Sequence, residues 1–205
     1  SVGHTAIRYF LQKGGGAAGL AALKDPDAMF SAPEISQTIP DAAYARLTPL
    51  LEEGLRQGAI GVGSGTQYSP GITRREMLDV TRVAGKAHSC VFTHIRYGSL
   101  VEPGSTLEAV QENIANAAIT GACVHIVHIN SMAMSDAPLM VRLMHDARSH
   151  GVDVSTETYP WDGSVDVIRS VIFDPGWEKR WGVKVGDLQS RVTGKRLTQA
   201  EFDAL

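Results

Sequence analysis

The sequence predicts an α/β fold, part of a (β/α)8 TIM barrel with about four to five βα units and a rim insertion at its C-terminal end. Three observations carry that prediction. Short β-branched runs alternate with amphipathic helical patterns from about residue 40 onward. The run midpoints Ile60, Phe92, Ile126 and Val154 lie 32, 34 and 28 residues apart, which suits parallel strands joined by crossover helices. Two runs close on a histidine, Val91-Phe92-Thr93-His94-Ile95-Arg96 and Val124-His125-Ile126-Val127-His128-Ile129-Asn130, at the strand edge where barrel chemistry collects.

Taken in order, Ser1–Arg8 is a candidate first strand. Asp41 caps a helix with Leu47, Leu50, Leu51 and Leu55 on one face, and Gly58 ends it. Ala59-Ile60-Gly61-Val62-Gly63 follows as a strand. Thr73-Arg74-Arg75-Glu76 is a capping box for a helix carrying Met77, Val80, Ala84 and Ala87. After the strand of Cys90 to Ile95, Ser105-Thr106-Leu107-Glu108 opens a helix with Leu107, Val110, Ile114 and Ala118 inward, stopped by Gly121. The strand around Ile126 precedes a helix begun by Ser135 or Asp136 with Pro138, carrying Leu139, Leu143 and Ala147. Val152 to Glu157 is the next strand. A doubly wound sheet is the structural competitor, but no G-x-G-x-x-G stands at a strand-to-helix junction. Gly61-x-Gly63-x-Gly65 comes near and is a weak signal, because the loop runs on through Tyr68-Ser69-Pro70-Gly71.

After Tyr159-Pro160-Trp161 the repeat dissolves. The organisation expected is a partial barrel over residues 1–162 and an insertion or lid over 163–205, cut short by the end of the sequence. The start at Ser1 and the stop at Leu205, a turn after the capping box Thr198-Gln199-Ala200-Glu201, read as a piece of a longer protein.

A hydrophobic fraction of 43% and a charged fraction of 20% are ordinary for a globular protein. A net charge of −3 is too small to imply nucleic-acid or membrane partners, and neither is expected; no apolar stretch approaches the ~20 residues of a membrane span. Cys90 and Cys123 each open a strand; a disulfide between them is conceivable, and buried free thiols in a reducing cytoplasm are the favoured reading.

Strand parity sorts the histidines. Cys90, Phe92, His94 and Arg96 share one face; Val124, Ile126, His128 and Asn130 share another, with His125 pointing away. If His94 and His128 face the barrel interior, His125 faces the helices. His88, His145 and His150 fall on helix faces or ends and are expected in solvent. On the last strand Asp153, Ser155, Glu157 and Tyr159 form a polar stripe, expected inside the barrel. Asp153 and Ser155 read as a structural hydrogen-bonded network there, and Tyr159, at the rim, as a substrate contact. Arg96 has two readings, a fork for a substrate carboxylate or a brace for the rim. The sequence lacks G-x-S-x-G, G-x-x-x-x-G-K-[ST], H-E-x-x-H and C-x-x-C motifs.

Val2-Gly3-His4-x-x-x-Arg8, Gly58-Ala59-Ile60-Gly61 with Tyr68-x-Pro70-Gly71, Thr93-His94-Ile95-Arg96, Val127-His128-Ile129, Thr158-Tyr159-Pro160 and Gly194-Lys195-Arg196-Leu197-Thr198 occur in order. Together they resemble the N-acyl-D-amino-acid deacylases, or D-aminoacylases, of the metal-dependent amidohydrolase superfamily. That resemblance implies a barrel with one or two zinc ions at its C-terminal rim, His94 and His128 as metal ligands, and Tyr159 as a group holding the substrate carboxylate, with Arg96 and Asn130 beside it. Asn130 stands where the family often carries lysine. The family's H-x-H pair, ligand cysteine and acid/base aspartate match no position here. The first would lie before Ser1 and the last beyond Leu205, and Cys90 and Cys123 open strands rather than close them. The resemblance implies a hydrolase of linear amides that takes the acyl group from a small N-acyl-D-amino acid; the cytoplasmic location expected goes with the thiol reading of the cysteines. The chain alone is expected to be inactive, and to self-associate or to sit beside further barrel segments. The alternatives are a cyclic amidase of the dihydroorotase or hydantoinase kind, or a folded fragment without activity.

Overall fold

The computed structural model describes residues 1–205, the side chains of residues 26 and 27 excepted. Its centre is a five-stranded sheet in chain order, parallel throughout. Strand β1 is only Val2–Gly3 and leads straight into helix α1, His4–Gln12. Ser1–Arg8 is therefore mostly helix, a correction to the strand expected there. His4 and Arg8, one turn apart, both reach Glu76 Oε1 at 3.0 Å, and His4 Nδ1 meets Ser64 Oγ at 2.8 Å. A fully buried charge needs partners of this kind, and α1 supplies them. Two short helices, α2 at Gly16–Ala22 and α3 at Pro26–Phe30, precede α4, Asp41–Arg56, which buries Leu47 and Leu51.

Strand β2 is Gly61–Gly65 rather than a strand centred on Ile60, whose side chain is 77% exposed. The shift has a packing reason. A Cβ on Gly61 would lie 2.4 Å from the Cys90 carbonyl oxygen and 2.6 Å from the Phe92 ring. The alternating glycines therefore admit neighbouring side chains on the inner face, and the Gly-x-Gly-x-Gly run is a packing device.

Helix α5, Arg74–Lys86, starts where Thr73 accepts from the Glu76 N–H. The box is one-sided because the Glu76 carboxylate is taken by α1. Strand β3 is Cys90–His94 and α6 is Thr106–Thr120, with both halves of the Ser105/Glu108 capping box formed and Gly121 left-handed at its end. Strand β4, Cys123–Ile126, passes into a one-turn helix α7, Ile129–Ala133, where the sequence reading had strand. Helix α8, Ala137–Ser149, and β5, Val154–Thr156, complete the repeat.

Val62, Val91, Val124, Ile126 and Val154 face the helices and are wholly buried against a core that includes Leu51, Val80, Ala84, Val110 and Met140. The other sheet face carries Phe92, His94 and His125, only partly covered. The favoured free-thiol reading is corrected here: Cys90 and Cys123 are register partners, 4.4 Å apart at Cα, and form a disulfide. Both lie at the first position of strands that begin level, so they share a face and meet.

Residues 163–205 hold short helical turns, α9 at Trp177–Trp181 and α10 at Gln199–Asp203. Phe173, Trp177 and Phe202 cluster there, their ring centroids 5.3–6.2 Å apart. This segment leans on the C-terminal strand edge: Leu100 N–H donates to the Arg180 carbonyl at 3.2 Å, and the Trp181 indole lies over Gly98. Among the described residues no helix is long and apolar enough to cross a membrane.

Candidate functional site

His94 and His128 converge at the C-terminal edge of β3 and β4, with ring centroids 4.7 Å apart and planes 72° to each other. They arrive by different routes. His94 is the last residue of β3 and takes the inner face by alternation. Regular alternation along β4 would have put His128 on the helix side with Val124 and Ile126. Instead the strand stops at Ile126 and His128 turns inward at φ +46°, in the left-handed region. The same geometry corrects His125. Still on the regular strand, it faces the interior, with Nδ1 2.9 Å from Ser155 Oγ and Nε2 3.4 Å from a Glu157 oxygen. Of the polar stripe expected inside the barrel, Ser155 joins His125 in a structural network, whereas Asp153 is corrected: it lies exposed just before β5 and meets Arg148 at the surface, 3.5 Å away.

The two imidazoles open on a cavity of about 340 Å³, within the range of small-molecule sites. Tyr159 lines it, its ring centroid 6.0 Å from that of His128. Asn130 does not line it; its amide donates to the Tyr159 carbonyl at 3.2 Å and steadies that turn. Arg96 is turned away. Its Nε and Nη2 bond the Glu112 carboxylate at 2.7 and 2.9 Å and its Nη1 the Ile72 carbonyl at 2.9 Å, in a buried fork. The rim-brace reading of Arg96 is the structural one, and the substrate contact expected of it is corrected: no donor is left facing the cavity. His88, His145 and His150 are exposed, as expected.

Sequence reasoning missed four contributors to the cavity, Tyr68, Ser131, Asp166 and Trp181. The Tyr68 hydroxyl lies 3.3 Å from His94 Nε2 and 3.4 Å from Asp166 Oδ2; its motif was noticed, but its loop carries no periodic signal. Asp166 and Trp181 come from the rim segment, where no repeat relates sequence position to depth. Ser131 Oγ meets His128 Nδ1 at 3.0 Å, inside the unforeseen α7 turn.

Burial, and then the neighbouring His128, push the His94 pKa down from 6.5 to about 4. The ring is therefore neutral at pH 7 and able to offer a lone pair. Its Nδ1 is buried with no hydrogen-bond partner. Desolvation raises the Tyr68 hydroxyl above its ordinary value. Asp166 keeps much of its surface in solvent, yet neighbouring atoms desolvate its carboxyl enough to raise its pKa. Among the described residues no group of three or more His, Cys, Asp or Glu side chains is placed to hold a metal ion. What this chain offers is a pair of imidazoles.

No protein-family model matches the chain. An N-acyl-D-glutamate deacylase of Alcaligenes xylosoxydans xylosoxydans is 30% identical over 155 residues, 73% of this chain. That match bears out the resemblance to the D-aminoacylase family of amidohydrolases. It spans 29% of that relative's length. The zinc- and inhibitor-bound N-acyl-D-glutamate deacylase of Bordetella bronchiseptica superposes with a TM-score of 0.55 at 24% identity, over 65% of this chain and 28% of that one. A crystal structure of D-aminoacylase superposes at 0.54 with 20% identity, over 66% and 28%. These two likenesses establish the fold, a partial (β/α)8 barrel. Against these structures the chain corresponds to a run of consecutive βα units.

Proposed function

We propose that the His94–His128 pocket is part of the active site of a zinc-dependent amide hydrolase that removes the acyl group from an N-acyl-D-amino acid. The observation that carries this is the convergence of two imidazoles on one cavity at the C-terminal edge, His94 being neutral with an unpartnered buried Nδ1 and His128 being oriented by Ser131. A metal fits that donor set: His94 offers Nδ1, while Ser131 holds His128 Nδ1 and leaves Nε2 for a ligand bond. Zinc, when bound, supplies water activation near neutral pH and polarisation of the amide carbonyl.

The chain's other groups position the substrate. Tyr159 lines the cavity and presents a ring and hydroxyl to it, with its backbone steadied by Asn130. Tyr68 places its hydroxyl between His94 and Asp166. Trp181, resting on Gly98, closes one side against water. In this reading residues 1–162 are the barrel part and 163–205 a rim insertion that lids the pocket. The remaining ligands and the acid/base group belong to further barrel strands, which would cover the open edges of β1 and β5.

The test is zinc-dependent hydrolysis by the full-length protein. N-acetyl-D-amino acids should be cleaved, the L-enantiomers and cyclic imides should not, and His94→Ala and His128→Ala should each lose both bound zinc and turnover. Cleavage of a hydantoin or dihydropyrimidine in preference to the linear amide would favour the cyclic-amidase alternative. Full zinc content in the His94→Ala/His128→Ala double variant would overturn the proposal.

A further inference from the structure

The charge of the cavity wall is one-sided. No lysine or arginine is among the described residues lining it, since Arg96 is committed to Glu112 and Asn130 to the Tyr159 carbonyl. Asp166 is the acidic side chain among the lining residues. Its Oδ1 accepts from the Val167 N–H at 2.8 Å and its Oδ2 from Tyr68, so hydrogen bonds satisfy it without a neutralising cation. Four aromatic side chains, Tyr68, Tyr159, Trp161 and Trp181, line the same cavity. Trp161 is 72% exposed at the mouth, and an indole left so open is free to cover an entering group.

A carboxylate ringed by aromatic faces attracts organic cations twice over, by charge pairing and by the negative potential above the rings. A second carboxylate placed there would meet like charge in a partly desolvated wall and be repelled. From this we infer that Asp166 and the surrounding aromatic rings select an acylated amino acid whose side chain ends in an ammonium or guanidinium group, and disfavour one ending in a carboxylate. The inference rests on the reading of this pocket as the site of an amide hydrolase, and it assigns the substrate class.

Trp161 and Trp181 provide the readout. Intrinsic tryptophan fluorescence of the full-length protein, with zinc and after chelation, is titrated with Nα-acetyl-D-lysine and with N-acetyl-D-glutamate, which share the α-carboxylate and differ in side-chain charge. The lysine derivative should bind about tenfold or more tightly than the glutamate derivative. D166N should bring the two within about twofold, chiefly by weakening the lysine derivative. D162N, a neighbouring exposed carboxylate outside the lining, should keep the wild-type ratio.

A preference for the glutamate derivative, a ratio unchanged in D166N, or no binding of either compound overturns the inference. Because the ratio is read without turnover, its outcome is separable from that of the hydrolase reading. A charge preference that depends on Asp166, in a protein that cleaves neither compound with zinc, keeps the selectivity and removes the hydrolase. Cleavage without the preference does the reverse.

Discussion

The ends of β3 and β4 deliver a histidine each to the same cavity, and the way they do so differs. At β3 the strand does all the work: Phe92 and His94 alternate onto the inner face, and the buried Arg96–Glu112 fork ties the following turn to α6. At β4 the strand ends two residues early, and a left-handed residue throws His128 inward, where Ser131 of α7 catches its ring. One histidine is placed by periodicity and the other by an exception to it. The lesson is that two imidazoles can converge on one cavity while resting on unlike backbone support, one regular and the other left-handed.

Four measurements would break or sharpen that contrast. The largest effect is expected behind β3. Removing one partner of a buried ion pair leaves a charge without compensation, typically about 3–5 kcal/mol. Arg96→Ala should therefore shift the urea midpoint of the chain strongly downward, whereas Arg96→Met with Glu112→Leu should restore most of the loss. A small effect of Arg96→Ala would mean that β3 does not depend on its brace.

The next effect is a pH dependence specific to the β3 side. In the metal-free protein His94 is held neutral, with its pKa near 4 in place of 6.5. The unfolded chain therefore takes up a proton that the folded chain refuses. The stability linked to this group is fully present above about pH 6.5 and is lost as pH falls toward 4, by at most about 3 kcal/mol. His94→Gln should remove that slope from a series of unfolding curves between pH 4 and 7. An unchanged slope would place the titration elsewhere.

On the β4 side, Ser131→Ala removes the hydrogen bond that orients His128. Losses of outer partners of metal-bound histidines weaken metal affinity by about 10–100-fold, so zinc titration of the full-length variant should show a drop in that range. An affinity unchanged by Ser131→Ala would mean that the α7 turn, not its hydroxyl, sets the ring.

The smallest effect compares the two backbones directly. A non-glycine residue pays about 1 kcal/mol to sit in the left-handed region, and glycine in a strand gives up a comparable amount to alanine. His128→Gly should therefore be more stable than His128→Ala by about 1 kcal/mol, and the order should reverse at position 94. The same order at both positions would show that His128 carries no strain.

Much of this molecule was legible in its residues. Capping residues at Thr73, Ser105 and Thr198 marked true helix starts, because such signals act within four residues and need no distant partner. The parallel order followed from spacing. The site was legible in its two histidines but not in its shape. Arg96 looked available to a substrate because its partner Glu112 lies sixteen positions away on α6. His125 was sent to the wrong face because parity was counted through a residue that breaks parity. Cys90 and Cys123 were read as free thiols because register, not sequence, brings them level.

By itself, then, the sequence determined the alternation of strands and helices and the residue types at the strand ends, since these follow from local periodicity, capping and side-chain chemistry. Only the tertiary structure decided which of those side chains meet. That depends on the register between strands, on one left-handed turn at His128 and on the return of a non-repeating segment to lay Asp166 and Trp181 over the pocket. Such contacts join positions tens of residues apart, and no local pattern encodes them.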